Sequence, residues 1–334
     1  MLEQKLIRKK RILTGARPSG DPHLGNYLGA FKPLIELQES YERFFFLADF
    51  HALNAVTSPA VLQQNSYMLL ASLLACGLDP NLGLVYAQSA VPEVAELSWI
   101  LGCLAPYGML TRAHSYKDAI AKGIEINMGV FNYPILMAAD ILLFDANIVP
   151  VGQDQKQHLE MARDLAQRFN FRYGDIFLLP EPLISDEVAV VPGTDGEKMS
   201  KSKANVISLF ATDKIWKTQV MSIVTGSATL AEPKDPDQCH VFKIYSLLAS
   251  KEEVDLLAEK YRGGNFGYGH AKVELLNKIK EKFSPMRDLY FESLKQKDVL
   301  REMIMEGSRR AREIACEKLE NVHRNIGFLG RPFL

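Results

Sequence analysis

Ile12-Leu13-Thr14-Gly15-Ala16-Arg17-Pro18-Ser19-Gly20-Asp21-Pro22-His23-Leu24-Gly25-Asn26 runs from a short apolar stretch, through a Gly/Pro-shaped turn, into an amphipathic segment. A β-prone run that ends in small polar residues and gives way to a 3.6-residue period reads as a strand-to-helix turn. Such a turn aims backbone N–H groups out of a helix N-terminus, where partial positive charge attracts phosphate. Arg17, Pro18 and Ser19 would shape the phosphate-facing loop, and His23 and Asn26 would add side-chain donors. Gly25 would let a flat ring lie close to the backbone. An ordinary connection, with Asp21 as N-cap and Pro22 at the first helical position, accounts for the same residues.

Outward from this turn the pattern repeats. Apolar runs at 12–13, 44–48, 84–87 and 148–151 each end in small or polar residues, and amphipathic stretches at 24–40, 58–76 and 155–169 lie among them. Strand alternating with helix predicts an α/β fold, a Rossmann-like doubly wound parallel sheet with both faces covered. Ligands of such sheets sit at the carboxyl ends of the strands, so 14–25, 49–51 and 152–155 are expected to converge. Pro33 falls inside the first amphipathic stretch and predicts a kink, costing about 3 kcal/mol if nothing compensates.

From about 192 the texture changes to Pro192-Gly193-Thr194-Asp195-Gly196-Glu197, followed by Lys198-Met199-Ser200-Lys201-Ser202-Lys203. Helical patterning then continues at 213–224, 241–248, 252–261, 270–292 and 299–325, with a Gly-rich break at 263–267. The expected organisation is a Rossmann-like domain over 1–192 with an insertion near 97–129, a loop at 193–204, and an all-helical domain over 205–298. A last helix within 299–334 is expected to pack back on the first domain. Lys198 and Lys201, with hydroxyls between them, suit the neutralisation of a leaving polyphosphate. A solvated Lys/Ser loop is the plainer account.

Composition narrows the classes. Of 334 residues 47% are hydrophobic, the share of a packed globule rather than a disordered or fibrous chain. Net charge is −1, so a nucleic-acid partner would have to be held by a local basic patch. Cys76, Cys103, Cys239 and Cys316 form no CxxC pair and no Cys/His cluster, which predicts buried small apolar residues in a reducing compartment and no structural metal. The first residues lack the apolar core of a signal peptide and no stretch is long enough to span a bilayer, so a cytoplasmic protein with no membrane partner is expected.

His23-Leu24-Gly25-Asn26 resembles the HIGH signature of the class I aminoacyl-tRNA synthetases, and Lys198-Met199-Ser200-Lys201-Ser202 matches their KMSKS signature. Met137-Ala138-Ala139-Asp140-Ile141-Leu142-Leu143, with the run from Val149 to His158, narrows the resemblance to the tryptophanyl members. The resemblance implies activation of L-tryptophan with ATP and Mg²⁺ to Trp-AMP, transfer to tRNA(Trp), and a homodimer. It also implies anticodon binding by the helical domain. His23, Asn26, Lys198, Lys201 and Lys117 would be the catalytic groups. Met199, Ser200 and Ser202 complete the ATP-facing loop.

On the same basis Asp140 would accept the indole N–H, Tyr133 and Gln155 would lie near the substrate ammonium, and His51 and Met137 would flank the indole. Gly152, Gln153 and Asp154 resemble the ribose and adenine contacts, and Val190 a backbone contact to adenine. Two positions depart from the pattern: Arg17 stands where many bacterial members have Gln, and Asn26 where the first signature ends in His. The nearest rival is a tyrosyl-tRNA synthetase. In those enzymes the run Tyr133 to Asp140 would carry Gln in place of Met137, and a thioether suits an indole better than a phenol. A nucleotidyltransferase or a non-enzymatic paralogue are more distant alternatives. The apolar 97–109 region is the expected dimer contact, with ordinary core packing as the alternative account.

Overall fold

A computed structural model describes residues 9–56, 58–152, 155–183 and 191–329. Strands β1 (Arg11–Ala16), β2 (Glu42–Leu47), β3 (Gly83–Ala87), β4 (Ile148–Pro150) and β5 (Glu181–Leu183) form one sheet in the order β3-β2-β1-β4-β5. Every pairing is parallel. The order runs outward from β1 in both directions, so the switch point of the sheet lies between β1 and β4.

Side chains alternate across β2. Phe44 and Phe46 join Leu84 and Tyr86 in one apolar cluster, while Phe45 and Leu47 join Val85 in another on the opposite face. Burial on both faces is why these strands read as unbroken apolar runs.

The helices follow the chain as α1 (Leu24–Asn26), α2 (Lys32–Glu36), α3 (Asp49–Ala52), α4 (Pro59–Ala75), α5 (Glu93–Gly102), α6 (Tyr107–Thr111), α7 (His114–Ala121) and α8 (Met128–Phe131). Then come α9 (Tyr133–Leu142), α10 (Lys156–Tyr173), α11 (Asp213–Met221), α12 (His240–Ser246), α13 (Lys251–Arg262), α14 (Tyr268–Lys295) and α15 (Lys297–Ile326). The segment expected as one helix over 24–40 is instead α1, a π-helical turn over Tyr27–Phe31, and α2. The wider turn sits immediately before Pro33, where the missing N–H breaks the regular ladder. Gly29, Ala30 and Pro33 line the cleft described below, which gives the irregularity a place in the site.

One cluster joins β2 and β3 to the second half of the chain, running from Leu24, Tyr27 and Leu70 to Trp216, Val241 and Phe283. Tyr27 meets Phe283 edge-on at 5.1 Å. The other cluster holds α5, α9 and α10 with Ala311, Ala315, Leu319 and Val322 of α15. α15 runs close along β3, the edge strand. A Cβ on Gly307 would collide with the Val85 carbonyl, and Ser308 Oγ accepts the Ala87 N–H at 3.2 Å. The helix therefore covers a sheet edge that would otherwise stand open. Of the four cysteines expected to be buried, Cys76 and Cys239 are, whereas Cys316 is half-buried and Cys103, just past the end of α5, is exposed. Among the described residues no helix is long and apolar enough to cross a membrane.

Candidate active site

The strand ends converge on a cavity of about 350 Å³. Thr14, Gly15 and Arg17 line it from β1, Phe46, Ala48 and His51 from β2 and α3, Tyr133, Met137 and Asp140 from α9, and Val149, Gly152 and Gln155 from β4 and beyond. Seven residues singled out in the sequence thus meet in one place: Arg17, His51, Tyr133, Met137, Asp140, Gly152 and Gln155. Gln153, Asp154 and Val190 lie outside the described residues.

Asp140 is 2% exposed, in a helix whose other buried residues are Pro134, Ile135, Ala138, Ala139, Ile141 and Leu142. A buried carboxylate needs partners, and it has them. Gln88 Nε2 donates to Oδ1 at 2.8 Å and to Oδ2 at 2.9 Å, and His51 Nε2 lies 2.9 Å from Oδ2. Burial pushes the Asp140 carboxyl above the usual range, the hydrogen bond and charge of His51 and the hydrogen bond of Gln88 pull it back, and Asp49 pushes it up again. Gln88 sits in the one-turn 3₁₀ segment after β3, and nothing in its sequence surroundings marks it beyond being a polar strand end.

A second network orients Gln155. Its Oε1 accepts from Tyr133 Oη at 3.2 Å and lies 3.0 Å from His158 Nδ1. Since a carboxamide oxygen only accepts, His158 carries its proton on Nδ1. Nε2 is then the acceptor, 3.1 Å from Ser115 Oγ. The Tyr133 ring packs between His51 and His158, with centroids at 4.8 and 5.3 Å. Ser115 opens α7, the helix that carries Lys117; Lys117 itself is exposed and is not among the residues lining the cavity.

The first turn and the lysine loop lie against each other. Residues 22–24 run beside 207–209: Leu24 N donates to Ile207 O at 2.9 Å and Leu209 N to Pro22 O at 2.9 Å. This pairing holds His23 extended, at φ −120 and ψ 169, and so the helix begins only at Leu24 with His23 as its N-cap residue. Asp21 and Pro22 are therefore not its cap and first residue. Asn26 is drawn into the cap as well, its Oδ1 accepting the His23 N–H at 3.0 Å. The His23 ring packs against Gly25, where a Cβ would lie 3.0 Å from His23 Nδ1. His23 is 9% exposed, and burial first, then the charge of Lys201, lowers its pKa to about 4. It is a neutral imidazole near neutral pH.

Lys201 Nζ donates to Ser19 O at 2.8 Å, which brings the second lysine of the loop to the first turn. Pro18 is buried and Ser19 exposed beside it. Lys198 is exposed, while Met199 between the lysines is buried and donates its N–H to Val191 O at 3.0 Å. Ser200 and Ser202 hydroxyls are 2.9 Å apart. The organiser of the loop is Asn205, 2% exposed, whose Oδ1 accepts Ser200 N at 2.7 Å and whose Nδ2 donates to Asp195 Oδ1 at 2.7 Å and Lys198 O at 3.2 Å. Sequence reasoning missed Asn205, because a lone Asn after a charged run has no periodicity or motif of its own.

Chemically, the cavity offers one acceptor in an apolar wall for an aromatic N–H, and polar groups at Gln155 and Tyr133 for a charged end. The neighbouring turn offers backbone groups, a neutral imidazole and lysines for phosphate. Among the described residues no group of three or more His, Cys, Asp or Glu side chains is placed to hold a metal ion.

Residues 5–284 match the family model described as tRNA synthetases class I (W and Y). The chain is 52% identical to the tryptophan–tRNA ligase of Fusobacterium nucleatum subsp. nucleatum over 325 residues, covering 97% of this chain and 100% of that one. The structure of tryptophanyl-tRNA synthetase from Campylobacter jejuni, complexed with ADP and tryptophan, superposes with a TM-score of 0.90 at 47% identity, covering 95% of this chain and 99% of that one. A tryptophanyl-tRNA synthetase from Mycoplasma pneumoniae superposes with a TM-score of 0.81 at 30% identity, over 96% and 98% of the two chains.

Proposed function

Since the chain belongs to the class I tRNA synthetases of the tryptophan and tyrosine group, we propose that it activates L-tryptophan with ATP and transfers it to tRNA(Trp). The observation that carries the choice of tryptophan is Asp140, a single buried carboxylate facing a cavity walled by Met137, Ile141, Phe46 and Val149. It is an acceptor with an apolar surround, which fits an indole N–H.

In the first step the tryptophan carboxylate oxygen attacks the α-phosphorus of ATP, and the bond to the bridging oxygen of pyrophosphate breaks. The products are Trp-AMP and pyrophosphate. No enzyme nucleophile takes part, so the chain acts by positioning and charge stabilisation. Tyr133 and Gln155 orient the amino end. Lys198 and Lys201 meet the negative charge that grows on the pyrophosphate, with His23 and Asn26 shaping the turn beside them and Lys117 as a further cation. Gly152, Gln153, Asp154 and Val190 are assigned to the adenosine. In the second step a ribose hydroxyl at the tRNA terminus attacks the activated carbonyl and AMP leaves.

Among the described residues no group of three or more His, Cys, Asp or Glu side chains is placed at the phosphate turn to hold an ion. Mg²⁺ is therefore assigned to the ATP phosphates and water, with no protein cage. EDTA should abolish activity and added Mg²⁺ restore it, with no zinc or iron in the purified protein. The division into a catalytic part over 1–192, the loop at 193–204, an anticodon-binding part over 205–298 and the C-terminal helix belongs to the same proposal. So does a homodimer: Trp99 is 76% and Tyr107 73% exposed in the 97–109 region, side chains that an interface would cover.

The test is exchange of labelled pyrophosphate into ATP, run in parallel with tryptophan and tyrosine. Exchange with tryptophan alone, followed by charging of tRNA, is the expected result. Exchange with tyrosine alone would make Asp140 a phenol acceptor, and exchange with neither would remove the enzymatic reading.

A further inference from the structure

On the reading that Asp140 accepts the indole N–H, we propose that Gln88 is the positioning residue that fixes Asp140 as that acceptor. Gln88 is fully buried at the end of β3. Its Oε1 accepts the Phe50 N–H at 3.1 Å, in the first turn of α3. That bond decides which end of the carboxamide is which, because only the oxygen can accept. The NH₂ must then face Asp140, where it bridges both oxygens at 2.8 and 2.9 Å. A bridging donor pair fits an ionised carboxylate; a protonated carboxyl would set an O–H against it.

Gln88 is itself held in place. Asp49 Oδ1 accepts the N–H groups of Ser89 at 2.9 Å and Phe50 at 3.1 Å, and Ser89 Oγ donates to Asp49 Oδ2, so the end of β3 is tied to the start of α3 on both sides of the amide. The hydrogen bonds also leave the two oxygens of Asp140 unequal. Among the described residues Oδ2 has both Gln88 and His51, whereas Oδ1 has Gln88 alone and can take one more donor. The amide thus holds the rotamer and leaves Oδ1 with the open lone pair.

The titratable groups around Asp140 are His51 and Asp49 on α3 and Tyr86 on β3. Burial first, then Asp140, pushes the Tyr86 hydroxyl well up, so Tyr86 stays neutral beside it. Against the burial that raises Asp140, Gln88 and His51 favour its charged form.

Gln88→Leu and Gln88→Glu, assayed by tryptophan-dependent pyrophosphate exchange across pH, test the role. A tryptophan analogue with sulfur in place of the indole nitrogen serves as the ligand without the donor. Loss of the clamp in Gln88→Leu should raise KM for tryptophan about tenfold, as for a buried group left underpaired. It should change KM for the analogue less than about twofold, leave kcat unchanged, and move the acid limb of kcat/KM for tryptophan to higher pH. Gln88→Glu should behave oppositely. At low pH its neutral carboxyl can accept from Phe50 and donate to Asp140, so tryptophan KM should approach that of the parent; as pH rises, two carboxylates face each other and KM should climb.

Opposite pH trends in the two variants cannot arise from a packing defect. If Gln88→Leu fails to fold, the pH trend within Gln88→Glu, which differs from Gln88 only in its terminal group, decides alone. Equal weakening of tryptophan and analogue at every pH, or no change with either, overturns the proposal. Failure of the functional reading itself would show separately, as absence of tryptophan-dependent exchange in the unaltered protein.

Discussion

The amino-acid pocket and the lysine loop are built on opposite plans. In the pocket the group assigned to the amino acid is itself buried: Asp140 is 2% exposed and already holds bonds from Gln88 and His51. On the loop the groups assigned to the phosphates, Lys198 and Lys201, are exposed, and the buried residues beside them are Met199 and Asn205. The difference follows from when each group is needed. An aromatic amino acid must be recognised before any bond breaks, which favours a rigid, preformed acceptor. Charge on a departing pyrophosphate grows only as the reaction proceeds, and lysines that meet it then raise kcat rather than substrate affinity.

That contrast is broken most severely on the loop. Lys198→Ala or Lys201→Ala should lower kcat for pyrophosphate exchange by about 10²–10³-fold, the scale of losing one group that stabilises developing charge. Tryptophan binding, measured by equilibrium titration, should change by less than about twofold. Equal losses in binding and rate would place the lysines in ground-state recognition and erase the distinction.

Asn205 tests the buried side of the loop. Asn205→Ala leaves the half-buried Ser200 N–H without its acceptor and the exposed Asp195 without its amide donor. Loop disorder should then lower kcat about tenfold with tryptophan affinity intact, whereas a change confined to the urea midpoint would make Asn205 a stability residue only.

The smallest effect is electrostatic. Burial is the larger cause of the low His23 pKa and Lys201 the smaller. Lys201→Met should therefore raise that pKa only part of the way, as read by NMR titration, and return to the ordinary histidine value would mean that the lysine dominates. Because the folded value lies below the unfolded one, His23 opposes folding as pH falls from the ordinary histidine range toward about 4.

The parallel sheet was legible because burial on both faces leaves continuous apolar runs, as in Phe44–Leu47 of β2. β5 was not, since Glu181-Pro182-Leu183 is short, partly exposed and carries a proline that at an edge strand removes no needed hydrogen bond. The π turn was hidden for a different reason: its residues Tyr27–Phe31 keep a helical pattern, and only Pro33 marks the disturbance. In the site, residues with unusual chemistry for their surroundings stood out, Asp140 in an apolar run above all. Gln88, His158 and Asn205 did not, because their roles lie in bonds to residues far away in sequence, which no local pattern records.

Equilibrium binding of tryptophan and of its sulfur-for-nitrogen analogue to the unaltered protein and to Asp140→Ala addresses the central claim most directly. The unaltered protein should prefer tryptophan by about tenfold or more, because the analogue leaves the open position on Oδ1 of the buried Asp140 carboxylate unfilled. That preference should fall as pH drops through the raised Asp140 pKa, and in Asp140→Ala the two ligands should bind within about twofold of each other. An Asp140→Ala protein that folds and keeps the full preference for tryptophan would show that another group reads the indole nitrogen.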